Sequence, residues 1–231
     1  SSALFDLSKS HAVFLNEGPA AYKSFQQRHI DTVLDKGVAF PFIKRFLQIN
    51  QRFNKELPVE VVLLSRNSVA TGKRVFRSIQ HYGLDITRAA FLEGKSPYEY
   101  IPAFNASLFL SANEDDIIKA IEAGHPAGLV LPSTVTDDDN EELRIAFDFD
   151  GVIADDESEK VYKRNNDLDE FIAHEIKQMQ TPHNSGPLAD LFKKLSHLQM
   201  LENQRAEHDI HYQRMINTSI VTARNAPAHE R

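Results

Sequence analysis

The chain has 231 residues, 42% of them hydrophobic and 26% charged, with a formal net charge of −7. That length and balance fit a globular protein of one large or two small domains with a substantial core. Acidic side chains outnumber basic ones, 33 to 26, and no basic block occurs, which argues against a nucleic-acid-coating role. No cysteine is present, so disulfides and thiol catalysis are excluded, and no apolar run reads as a signal or membrane segment. The expected setting is the cytoplasm, with no membrane partner.

In chain order, residues 17–34 predict a helix with polar interruptions. Residues 39–53 predict a clearer one, where Phe42, Ile43, Phe46, Leu47 and Ile49 form a helical apolar stripe. Pro58 precedes a strand, VEVVLL, that ends at Ser65. Residues 72–82 read as a helix closed by Gly83. Residues 88–92 and 107–110 read as short strands, 114–122 as a helix stopped by Gly124 and Pro126, and 127–131 as another strand. Strands alternating with helices argue for an α/β protein with a doubly wound parallel sheet. TDDDNEE, residues 136–142, is an acidic linker that separates 1–135 from 143–231. Beyond it, 167–180 and 187–199 predict helices, LENQRAEHDIHYQRM a polar surface insertion, and 217–221 a strand ending at Thr222. His208 and His211 stand three apart in that polar stretch, where solvation is commoner than a shared metal.

The stretch richest in chemistry is LRIAFDFDGVIADDESE, residues 143–159. Its apolar run, Leu143, Ile145, Ala146 and Phe147, reads as a buried strand bounded by Asp148, Asp150 and Gly151. Ligands of open α/β sheets bind beyond the carboxyl ends of strands, so two carboxylates there are placed for chemistry. The spacing alone leaves other readings. An Asp pair after a strand also makes a solvated turn. A calcium loop would use Asp148, Asp150 and Glu159, but Ile153 stands where such a loop needs glycine, and a strand precedes where a helix should.

DFDGVIADDESE resembles the first motif of the haloacid dehalogenase-like phosphohydrolases, a hydrophobic strand followed by DxDG. Together with SIVTARNAPAHER near the C-terminus, it resembles more closely the cytosolic 5′-nucleotidases of the type I family. The resemblance implies a Rossmann-like, haloacid dehalogenase-type fold and Mg²⁺-dependent hydrolysis of nucleoside 5′-monophosphates to nucleoside and phosphate. Under it, Asp148 is the nucleophile that forms an aspartyl-phosphate. Asp150 protonates the leaving oxygen and then deprotonates the attacking water. Asp148 and the backbone carbonyl of Asp150 bind Mg²⁺, a hard cation that offsets the crowded negative charge. Gly151 lets the backbone turn tightly beside the phosphate. Thr222 holds a phosphate oxygen through its hydroxyl, and Arg224 is the nearest fixed positive charge for phosphate or substrate. The first motif reads only the phosphate. A phosphatase for another small phosphoester and a non-catalytic nucleotide-binding or scaffold relative therefore stay open, as does a homo-oligomer. In this superfamily a Lys and a second pair of acids follow these motifs. They are not found between Thr222 and Arg231, so residues 1–231 alone are expected to have little activity.

The halves also match in outline. At an offset of 148, Ser10, Val13 and Phe14 fall on Ser158, Val161 and Tyr162, and Ser2 falls on Asp150. At 149, Gly37, Phe42, Lys44, Arg45 and Phe46 fall on Gly186, Leu191, Lys193, Lys194 and Leu195. LLSRNS resembles IVTARN. The first half offers Ser65, Lys95 in EGKSP, and LFLSANEDD, but Ser111 and Ala112 stand where paired acids belong. Asp115 and Asp116 are expected to open a helix, where negative charge suits the dipole. Two related halves are therefore expected: 1–135 without an evident working site, and 143–231 with the first two motifs.

Overall fold

A computed structural model describes residues 2–53, 55–134, 137, 138, 140–157, 160, 168–222 and 224, with only the backbone described at 168–170. The chain divides into two compact units, Ser1–Glu141 and Glu142–Arg231. The fold is mixed α/β. All its named strands are parallel and pair in twos, β1 with β2, β3 with β4 and β5 with β6, with no continuous sheet among the described residues.

The first unit begins with helix α1 (Ser8–Arg28), broken at Gly18 just ahead of Pro19, whose ring disfavours helical backbone at the residue before it. The helix expected at 17–34 thus starts earlier and ends sooner. Next come α2 (Phe40–Arg52), β1 (Val62–Ser65), α3 (Val69–His81) and β2 (Arg88–Phe91). Two short 3₁₀ turns, Pro97–Tyr100 and Pro102–Phe104, lead to β3 (Phe109–Ser111), α4 (Glu114–Glu122) and β4 (Ala127–Leu129). Phe5, Phe40, Leu63, Val75 and Ile79 centre one apolar core; Ile101, Phe109, Ile117 and Ala120 make a second, against which Leu64 of β1 also packs. Helix α4 opens with Glu114, Asp115 and Asp116, and the Asn113 side chain accepts the Asp116 amide at 3.0 Å. Acids and an Asn cap both satisfy the positive end of a helix. Part of the acidic 136–142 stretch is held down: Arg45 donates to Asp137, Asp138 and the Asn140 carbonyl. Thr136 and Asp139 lie outside the described residues.

The second unit holds β5 (Leu143–Asp148), a wide turn at Phe149–Ile153, α5 (Leu168–Gln178), α6 (Ala189–His208) and β6 (Ile216–Val221). Strand β5 is buried on one face only: Leu143 and Phe147 are inside, Arg144, Ala146 and Asp148 outside. Phe192 of α6 meets Phe147 edge-on at 5.4 Å, with Leu195, Leu198 and Ile216 buried in the same unit. The polar stretch expected as a surface insertion at 201–215 is mostly exposed, and its first part continues α6 to His208. The exception is Glu202, a buried carboxylate that accepts the amides of Met215 (2.9 Å) and Ile216 (3.1 Å) and the Tyr212 hydroxyl (3.2 Å). Buried carboxylates persist where donors satisfy them. Among the described residues, no helix is long and apolar enough to cross a membrane.

Three backbone bonds recur in the two units. Gly37 donates to the Leu4 carbonyl and Gly186 to that of Ile153; Ala39 donates to Ala3 and Leu188 to Val152; Asp6 donates to Asp35 and Asp155 to Asn184. Each partner pair is displaced by 149 residues. An added Cβ would lie 2.7 Å from the Ala3 oxygen at Gly37 and 2.5 Å from the Val152 oxygen at Gly186, so both close approaches require glycine. Helix α6 has 20 residues against 13 in α2, and beyond them the offset becomes 157. Asn50 of α2 both donates to and accepts from the backbone of Val59. Its counterpart Gln199 donates to the Ile216 carbonyl, while Glu202 takes over the accepting role. This register corrects one alignment: Ser2 falls on Gly151, and the counterpart of Asp150 is Ser1, outside the described residues. The match of Ser10, Val13 and Phe14 to Ser158, Val161 and Tyr162 also falls on residues outside the description, as does Glu159.

Candidate active site

The site grows from the carboxyl ends of β5 and β6. Their parallel register pairs Leu143 with Ile216 and ends by pairing Asp148 with Val221. Asp148 is therefore the last residue of one strand, and Thr222 the first beyond the other. The Asp148 carboxylate is exposed and accepts the Phe149 amide at 2.7 Å. The Thr222 hydroxyl oxygen accepts the Arg224 amide at 3.1 Å. Ser65 makes the same turn in the first unit, accepting the Asn67 amide at 3.2 Å. Between Asp148 and Asp155 the chain turns through Gly151, whose φ of 73° lies in the left-handed region that glycine tolerates.

Asp150 is not open to solvent in the manner of Asp148. Arg224 forks onto it, with Nε 3.1 Å from both carboxylate oxygens and Nη2 2.6 Å from Oδ1. A fork of this kind fixes the carboxylate in direction as well as position. The remaining nitrogen, Nη1, donates to Glu175 of α5. The guanidinium lies 5.2 Å from the Phe149 ring and 5.9 Å from that of Phe171. Burial opposes its charge, but the hydrogen bonds to Asp150 and Glu175 outweigh that and hold its pKa above the usual arginine value. Glu175 is in turn 3.7 Å from His183 Nε2, and His183 Nδ1 is 3.6 Å from Asp155. A chain of charged and ionisable groups thus runs Asp150, Arg224, Glu175, His183, Asp155.

Asp148, Asp150, Gly151, Thr222 and Arg224 are thus gathered at one end of the unit. Glu175 and His183 were not singled out in the sequence. Glu175 reads there as an ordinary helical surface acid and His183 as a loop residue, and the available signal was the repeat, which sets them opposite Gln26 and Leu34. Among the described residues, Asp155, Glu157 and His183 bring ligand atoms within 4.8 Å of one another, a set that could hold a metal ion. It is a different set from Asp148 and Asp150. His208 is bonded to the Gln204 carbonyl by its own ring, as a solvated helical histidine would be.

In the first unit a different pair stands beyond the strand end. Arg66, next after Ser65, forks onto buried Asp116 at 2.5 to 3.0 Å, and the Ser96 hydroxyl donates to the same carboxylate at 2.6 Å.

The family model for 5′-nucleotidase matches residues 1–231. The chain belongs to the 5′-nucleotidase family. Human "Cytosolic 5′-nucleotidase 1B" is 30% identical over 237 aligned residues, covering 98% of this family member. The chain spans only 37% of the length of that human relative. No solved structure matches the 231-residue chain itself.

Proposed function

We propose that residues 143–224 form the phosphate-handling part of a 5′-nucleotidase that hydrolyses nucleoside 5′-monophosphates to nucleoside and phosphate. The fold in this reading is the Rossmann-like, haloacid dehalogenase type with a doubly wound sheet. The observation that carries it is the register of β5 and β6, which ends with an open carboxylate, Asp148, beside the Thr222 turn, and with Asp150 held by Arg224. Family membership supports the reaction class. The human relative's name, a cytosolic 5′-nucleotidase, supports the substrate and a cytoplasmic setting.

In this reading a carboxylate oxygen of Asp148 bonds to phosphorus as the bond from phosphorus to the nucleoside 5′-oxygen breaks, leaving an aspartyl-phosphate. Asp150, carrying a proton on Oδ2, the oxygen that Arg224 reaches only through Nε at 3.1 Å, gives that proton to the departing oxygen. It then takes one from the water that attacks the aspartyl-phosphate, which frees phosphate and restores Asp148. The Thr222 hydroxyl donates to a phosphate oxygen, since its own oxygen already accepts the Arg224 amide. Arg224 keeps Asp150 aimed. By the family resemblance Mg²⁺ would be held by the Asp148 carboxylate, which is exposed here, and the Asp150 carbonyl. So sparse a set suits Mg²⁺, which keeps several waters and takes substrate oxygens. When bound, the ion would offset the repulsion between carboxylate and phosphate.

The test is phosphate release from AMP by the complete protein and by Asp148→Asn. The variant should fall to background with an unchanged circular dichroism spectrum. A chelator should abolish the parent activity, and added Mg²⁺ should restore it. Release by Asp148→Asn at the parent rate would remove the nucleophile assignment.

A further inference from the structure

We infer that Glu175 is a positioning residue that holds the Arg224 guanidinium against Asp150, with His183 bracing Glu175 from its other side. The inference rests on the reading of Asp150 as proton carrier and extends it to residues that touch no reacting atom.

The geometry is the first ground. A guanidinium carries five N–H donors in one plane, enough for a forked pair on one edge and further bonds beyond it. Arg224 spends its Nε and Nη2 edge on Asp150 and its Nη1 on Glu175. With Asp150 alone the fork could rock about that edge. A second carboxylate, on helix α5, fixes the plane. The side chains of Arg224, Glu175 and His183 are only 4%, 1% and 4% exposed, so water does little to compete for these contacts.

The second ground is the repeat. At the same offsets the first unit has Gln26 for Glu175, Leu34 for His183, Asn67 for Arg224 and Tyr22 for Phe171. Gln26 and Leu34 are buried as their counterparts are, and Tyr22 donates to Asn67 across the place where Phe171 faces Arg224. The first unit also buries a charge here, since Arg74 of α3 is buried and its Nη1 donates to the Gln26 side-chain oxygen at 3.4 Å; what it lacks at these positions is a carboxylate facing an arginine at the strand end. Burying ions is costly and gives little net stability over apolar packing. The Glu175–Arg224 pair stands in the unit that carries Asp148 and Asp150, and Gln26 and Asn67 stand at its places in the repeat, a difference explained by what the pair holds.

The experiment has two arms. In the complete protein, Glu175→Gln, which installs the residue of the repeat, should lower kcat for AMP by about a hundredfold, the scale of a small misplacement of a reacting group, with KM within about threefold. His183→Leu should lower it about tenfold by the same loosening. In the 231-residue chain the ¹⁵N-detected Arg224 Nε–H should exchange slowly with water in the parent and quickly in Glu175→Gln, with the backbone amide spectrum retained. If Glu175→Gln does not fold, His183→Leu carries both arms. Parent-like kcat, or unchanged Arg224 protection, overturns the inference. If the parent releases no phosphate, the functional reading falls by itself and the Arg224 exchange alone decides whether Glu175 holds the guanidinium.

Discussion

Asp155 joins the turn after Asp150 to the rest of the second unit. Its carboxylate accepts the Asn184 side-chain amide at 2.8 Å and the Glu157 amide at 3.4 Å, and it faces His183. Burial pushes its pKa up, but those donors and His183 outweigh it and hold the group below its usual 3.8. A carboxylate with a lowered folded pKa contributes stability that is complete above the unfolded value and is lost as pH falls through the folded one. The expected outcome is an acid limb, below about pH 4, in urea-denaturation midpoints of the second unit. Asp155→Asn should flatten that limb and lower the midpoint at neutral pH. At this scale Asp148, Asp150 and Thr222 were legible because a strand end followed by a short polar residue is a local pattern. Glu175 and His183 were not, because what they touch lies 49 and 28 residues away along the chain, at Arg224 and Asp155.

Helix α6 and strand β6 are joined through Glu202, and this joint sets where the strand begins. Glu202→Ala would leave the buried amides of Met215 and Ile216 without their acceptor, each such loss costing about 1–3 kcal/mol. A drop of about 3 kcal/mol in unfolding free energy, read by urea titration, is expected, with Thr222 and Asp148 no longer held in step. Helices α2 and α4 were readable to within a residue or so. In α2 the apolar stripe keeps helical period, and in α4 Asn113 and Gly124 punctuate both ends. Helix α6 was readable only to about residue 199, because an acid on the buried face looks like the onset of a surface segment. Pairing of strands in twos could not be read from local pattern, since which strands meet depends on partners far apart in the chain.

Across the whole molecule, the same closing bonds serve two units with different chemistry at the strand ends. In the first, Arg66 and Asp116 satisfy one another, which leaves a structural role for both. Arg66→Ala strands a buried carboxylate and should cost about 3 kcal/mol of stability. It should leave kcat for AMP as in the parent, measured at a temperature where the variant is folded. A changed kcat would give the first unit a part in turnover.

Tandem copies of one pattern carry a hazard during refolding, when a segment of one copy can dock in the cradle of the other. The short bridge that precedes Gly37 and Gly186 is where that error would begin, since its backbone partners are interchangeable. The side chains there are not. Phe5 fills the first cradle and is fully buried, whereas Ala154 lines the second. A phenyl ring would overpack a place where buried Ala154 puts a methyl group, and a methyl group would leave a void beside Phe40 and Tyr82, the rings that pack on Phe5. The size difference works as a key, telling each leading segment which of two nearly identical locks is its own.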